Sequence, residues 1–189
     1  MEKKTIATTI TGILILVLII CVGATLSAFK VQKEKVEVKS IEIFAKDNTS
    51  VTNESGESIT ELKVISSGLG VRPATGEEDN TTQVPSTIND NIGSEGAYAT
   101  CFINTTTNWC IKLVSCSLTA GEDENLDNIR IAVLDKKSKA IKGSDVGACL
   151  TKGESVQNLE VTIVVWLDAD AKKSIASADI KIQLEVVNI

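Results

Sequence analysis

Two stretches near the C-terminus decide the fold: Leu159-Glu-Val-Thr-Ile-Val-Val-Trp-Leu167 and Ile180-Lys-Ile-Gln-Leu-Glu-Val186. In the second, apolar and polar residues alternate without a fault, the period of a half-buried strand. The first places Leu159, Val161, Ile163, Val165 and Leu167 on one face, while Val164 and Trp166 make the other face apolar as well. A strand that is apolar on both faces is covered on both, as a central strand is. Period two therefore governs this end of the chain, and no helical stripe competes with it.

Working outward, the same period recurs. Ile129, Ile131 and Val133 line one face of a further strand, which the polar run Asp135-Lys-Lys-Ser-Lys139 ends. Ala97 to Asn104 and Trp109 to Leu118 read as a hairpin about the turn-like Asn104-Thr-Thr-Thr107, and Ile59 to Ser66 supplies another strand. Val36 and Val38, then Ile41 and Ile43, form an early strand whose phase slips by one near Ser40, the mark of a bulge or bend. Residues 67–96 contain both prolines, Pro73 and Pro85, and read as a long loop. Ala169 to Ala178 suits one or two helical turns. Seven or so short strands joined by Gly, Asn and Asp turns predict an all-β sandwich.

The N-terminus sets the compartment. Met1-Glu-Lys-Lys is followed by an uncharged run from Thr5 to Phe29, centred on the apolar Ile13-Leu-Ile-Leu-Val-Leu-Ile-Ile-Cys-Val22. A basic start and an apolar core are what an export machine reads, with Lys3 and Lys4 held on the cytoplasmic side. Small residues follow (Gly23, Ala24, Thr25, Ser27, Ala28), so residues 1–28 are a cleaved signal peptide or a retained signal anchor. Cleavage after Ser27 places Thr25 at the −3 position; retention would hold the chain in the membrane through residues 5–28. Residues 29–189 form one extracellular domain.

Beyond residue 28 the chain carries 17 basic and 24 acidic residues, a net charge of −7. That surface disfavours nucleic acid and anionic lipid headgroups as partners. The chain has no histidine, which removes His-based triads and the common zinc-hydrolase sites. The acidic clusters Glu77-Glu-Asp79, Glu122-Asp-Glu124 and Asp168/Asp170 match no calcium-loop spacing and read as solvated loops. Ser94 and Lys152 have no nucleophile context, and the six aromatics beyond residue 28 are mostly needed for a core. No catalytic, cofactor or metal site emerges, and the chain reads as no enzyme.

Four cysteines remain: Cys101, Cys110, Cys116 and Cys149. An even count in an exported chain favours disulfides, and four cysteines allow three connectivities. The hairpin reading pairs Cys101 with Cys110 and leaves Cys116 for Cys149. Four free thiols in a reducing habitat are the alternative.

Three stretches resemble the camelysin/TasA family of secreted biofilm-matrix proteins. The signal exit Gly23-Ala-Thr-Leu-Ser-Ala-Phe29 is similar to that family's Gly-Thr-x-Ala-Phe/Tyr exit. The strand ending Trp166-Leu167, a short insert and the amphipathic Ile180–Val186 match its terminal pattern, and Ser94-Glu-Gly-Ala-Tyr-Ala-Thr100 resembles its middle strands. Lys30-Val31 and the cysteines are departures from it. The resemblance implies a jelly-roll β-sandwich, processing by a dedicated signal peptidase and fibre growth by donation of an N-terminal strand. On that expectation Val36, Val38, Ile41 and Ile43 belong to the assembly strand, an exchangeable strand at a sheet edge. The partner is then another copy of the chain or another surface protein. A membrane-anchored extracellular binding or adhesion module, using the 67–96 loop, is the other function expected of an exported β domain.

Overall fold

The computed structural model describes residues 36–65, 68–69, 96–119, 123–134, 138–168 and 178–189. The signal segment, most of the 67–96 loop and the expected helical turns at 169–177 lie outside the described residues. These residues are nearly all β, with a single 3-10 helix at Asp123–Asn128.

The strands run in chain order as β1 (Val36–Ala45), β2 (Thr49–Thr52), β3 (Glu61–Leu62), β4 (Gly68–Leu69), β5 (Gly96–Thr105) and β6 (Trp109–Leu118). They continue as β7 (Ile129–Val133), β8 (Ile141–Lys142), β9 (Cys149–Gly153), β10 (Val156–Leu167) and β11 (Asp179–Asn188). One sheet has the order β3-β1-β11-β6-β9, with β4 also pairing β1; the second has the order β2-β5-β10-β7-β8. A single hydrophobic core draws on both sheets, with Ile41, Ile43, Ile111, Ile182 and Leu184 from the first and Ala99, Ile103, Ile131, Ile163 and Val165 from the second. Two sheets sharing one apolar layer form a sandwich, the arrangement that buries one face of each.

Strand β10 is central, flanked by β5 and β7. Its second apolar face is buried too: Val164 and Trp166 join Ala132 in a smaller cluster, packed by Tyr98, Leu134 and Ala140. The outer face of the β1 sheet is instead polar. There Ser115 donates to Gln183 (2.8 Å), Gln183 donates to Glu42 (2.9 Å), and Lys46 pairs with Glu185 (2.5 Å).

The expected hairpin of β5 and β6 does not form. Thr105 ends one strand in the β10 sheet, and Trp109 opens the next in the β11 sheet. Both strands alternate apolar and polar residues, so each can cover the core from either sheet, and their long partners β10 and β11 claim them separately. The expected strand at Ile59–Ser66 shrinks to the two residues of β3, with isolated bridges at Ser58 and Ile65. The expected 67–96 loop is bounded by strand residues, Gly68–Leu69 at one end and Gly96 at the other.

Candidate assembly strand and the cysteine sites

Strand β1 carries Val36, Val38, Ile41 and Ile43, all at most 3% exposed. Between Val38 and Ser40 its register with β11 shifts, so one extra residue inverts the phase and keeps all four side chains inward. This is the slip visible in the sequence near Ser40. Four buried aliphatic side chains contribute roughly 6–12 kcal/mol of transfer free energy before conformational entropy is set against it.

The sequence predicts a strand at a sheet edge, but β1 lies one strand in, between β11 and the short β3 and β4. On one side it pairs in parallel with β11 through eight positions, from Glu37 opposite Asp179 to Ala45 opposite Val186. On the other side β3 pairs only Ile41 and Glu42, and β4 only Val36 and Glu37. The chain between β3 and β4 leaves β1 to bridge Tyr98 of the other sheet through Ile65. A cavity of about 480 Å³ opens at that gap, lined by Glu37, Val38, Lys39, Glu61, Leu62, Lys63 and Val64. So β1 is fastened firmly on one edge and sparsely on the other.

Its C-terminal exit is a tight turn. Asp47 adopts φ 53°, Thr49 N–H and Oγ1 both donate to the Lys46 carbonyl (3.2 and 2.6 Å), and Lys46 N–H donates to Val186 O (3.1 Å). Asp tolerates the left-handed region better than most residues, yet a non-glycine there still holds some strain.

The cysteines pair otherwise than expected. Cys110 is bridged to Cys149, with 6.1 Å between their Cα atoms, and Cys101 and Cys116 are buried free thiols. Cys101 lies on β5 among the inward Ala97, Ala99 and Ile103, in the sheet opposite Cys110, so those two cannot meet. Cys110 and Cys116 are six residues apart, which in an unbroken strand sets them on one face. Gln183 pairs Ser115 and Leu184 pairs Leu113, however, so Val114 is an extra residue that inverts the phase. Cys116 therefore points into the core, while Cys110 faces outward with Cys149. Burial pushes the thiols of Cys101 and Cys116 up to about 12, because a thiolate there would be desolvated with no charge to compensate.

Asp168, expected in a solvated acidic loop, is instead 6% exposed and ion-paired with the equally enclosed Arg130. The two lie at the start of β7 and just past the end of β10, which pair at Arg130 and Trp166. Asp168 N–H donates to Asn128 O at 2.8 Å, fixing the strand end. A buried carboxylate needs such a partner, and no motif in the sequence marks the pairing. Among the described residues no three His, Cys, Asp or Glu side chains gather as metal ligands would. No protein-family model matches this chain, and no curated protein does.

Proposed function

We propose that this chain is an exported, non-enzymatic structural protein of the bacterial cell surface or biofilm matrix. In this reading the sandwich is a jelly roll, and mature copies polymerise into fibres by donating β1. The observation that carries it is the asymmetric fastening of β1 between β11 and the short β3 and β4. The strand precedes all other described strands, brings four core side chains of its own and turns out of the sheet at Asp47. Withdrawn, it leaves β11 with unpaired backbone groups over a groove shaped for those four side chains. A second copy's β1 fits that groove in the same register, satisfying the same backbone donors and acceptors. The cross-strand disulfide supports an oxidising, extracytoplasmic setting, and the resemblance of the signal exit and terminal strands points the same way.

Electron microscopy of the secreted protein, with and without residues 29–45, tests the reading. Fibres from the mature chain and none from the truncated chain are expected; equal polymerisation of both would end it. The anchored binding module remains the second reading because of the uninterrupted apolar run Ile13–Val22. N-terminal sequencing separates the two: a mature start near Ala28 favours the matrix protein, and an intact Met1 favours the anchor.

A further inference from the structure

The outer face of the β6–β9 pair places basic residues beside the disulfide. Lys152 stands directly opposite Cys110, and Lys112 directly opposite Cys149; Leu150 and Thr151 form a bulge that brings the two pairs into adjoining rows. Side chains opposed in this way have Cβ atoms about 4.5–5.5 Å apart on one face. Each half of the disulfide therefore has a lysine directly opposite it across the β6–β9 pair. The carboxylate next along the row, Glu185 opposite Lys112, is held by Lys46 at 2.5 Å.

The two sulfurs differ in access. Cys110 is 1% exposed, whereas Cys149 is exposed on the edge strand. An incoming thiolate can approach Cys149 and not Cys110. The buried thiols of Cys101 and Cys116 take no part, since they lie inside the core and neither is bridged.

We propose that the Cys110–Cys149 disulfide is a thiol-exchange site at which an anionic low-molecular-mass thiol becomes attached to Cys149. The thiolate sulfur bonds to Cys149 Sγ as the Sγ–Sγ bond breaks, and the bonding pair leaves on Cys110 Sγ. The incoming thiol is oxidised to a mixed disulfide, Cys110 is reduced, and its thiolate takes a proton from solvent. Lys112 attracts a carboxylate-bearing thiol to the exposed sulfur, and Lys152 faces the negative charge that develops on Cys110. The released Cys110 stays beside Cys149 and can expel the adduct by the reverse step, so the modification is reversible. While the adduct persists, the edge strand β9 loses its covalent tie to β6 and is held by its backbone pairing, Leu150 and the packing of Trp109 on Gly153. This site stands whether or not β1 is donated.

The test uses the native oxidised chain treated with glutathione, which is anionic, or cysteamine, which is cationic, each rate normalised to a linear peptide disulfide. Mass spectrometry should find one glutathione per chain, on Cys149, and normalised exchange with glutathione on the order of five- to tenfold faster, the factor expected of about 1 kcal/mol of charge attraction. Lys112→Gln and Lys152→Gln should each reduce that preference. Raising salt to about 1 M, where the screening length is about 3 Å, should abolish it in the unmodified protein, independently of any variant's folding. An adduct on Cys110, equal normalised rates, or reaction only after denaturation would overturn the proposal.

Discussion

Trp109 closes over Gly153, its directly opposed residue on β9, so tightly that a Cβ built on the glycine would lie 2.8–2.9 Å from three atoms of the indole. The ring is 3% exposed, and its Nε1–H donates to the Glu154 carbonyl at 2.8 Å. A rigid ring anchored in this way cannot step aside cheaply. Gly153→Ala should therefore destabilise the domain by about 1–3 kcal/mol through overpacking, read as a lower denaturant midpoint. An unchanged midpoint would show that the ring relaxes freely.

The Arg130–Asp168 pair makes a second prediction. Both side chains are nearly enclosed, so removing Asp168 leaves the Arg130 charge buried without its carboxylate. Asp168→Ala should cost about 3–5 kcal/mol, and adding Arg130→Met to it should recover part of that loss, because the orphaned charge is gone. Urea unfolding of the two variants provides the comparison. A double variant less stable than the single one would reject this account of the pair.

Cys101 and Cys116 predict an alkaline response. Their folded thiols are pushed up to about 12 from an ordinary 9.0, so the folded state holds these protons more tightly than the unfolded chain. That contribution is complete below about pH 9 and is lost as pH rises toward about 12, at about 1.4 kcal/mol per pH unit for each thiol. Replacing both residues by Ala should flatten the decline. Alkylation should agree: of the four cysteines beyond residue 28, none reacts in the native oxidised protein, and Cys101 and Cys116 react on denaturation without reductant. Rapid native labelling of either would contradict their burial.

The turn at Asp47 should govern exchange of β1. A β-branched residue at φ 53° is strained, so Asp47→Val should destabilise the closed turn by about 1–2 kcal/mol, whereas Asp47→Gly adopts that φ readily. At equal concentration, sedimentation should recover more polymer from the Val variant than from the Gly variant. The reverse order would mean that this turn is not the hinge.

Much of the fold was legible because period two survives in β1, β7, β10 and β11 whatever their partners, and even the slip at Ser40 shows as a broken alternation. Partner choice was not legible. The strands β5 and β6 carry the same alternation whether they form a hairpin or cross between sheets, and nothing local at Asn104–Thr107 separates the two. The cysteine pairing was lost with that hairpin: Cys101 and Cys110 lie in opposite sheets, and the bulge at Val114 turns Cys116 into the core, away from Cys149. Asp168 was misread because its partner Arg130 lies 38 residues away in sequence, and burial of an ion pair leaves no periodic trace.

The most direct test of strand donation uses two chains, one carrying Glu42→Cys and the other Gln183→Cys, positions directly opposed across β1 and β11 and facing outward. The two variants are mixed, allowed to assemble and oxidised, then separated on a non-reducing gel. Donation predicts a covalent bond between different chains through these two positions, and none when either variant is oxidised alone. A cross-link at these positions that forms only when both substitutions share one chain, with none between mixed chains, would contradict the account.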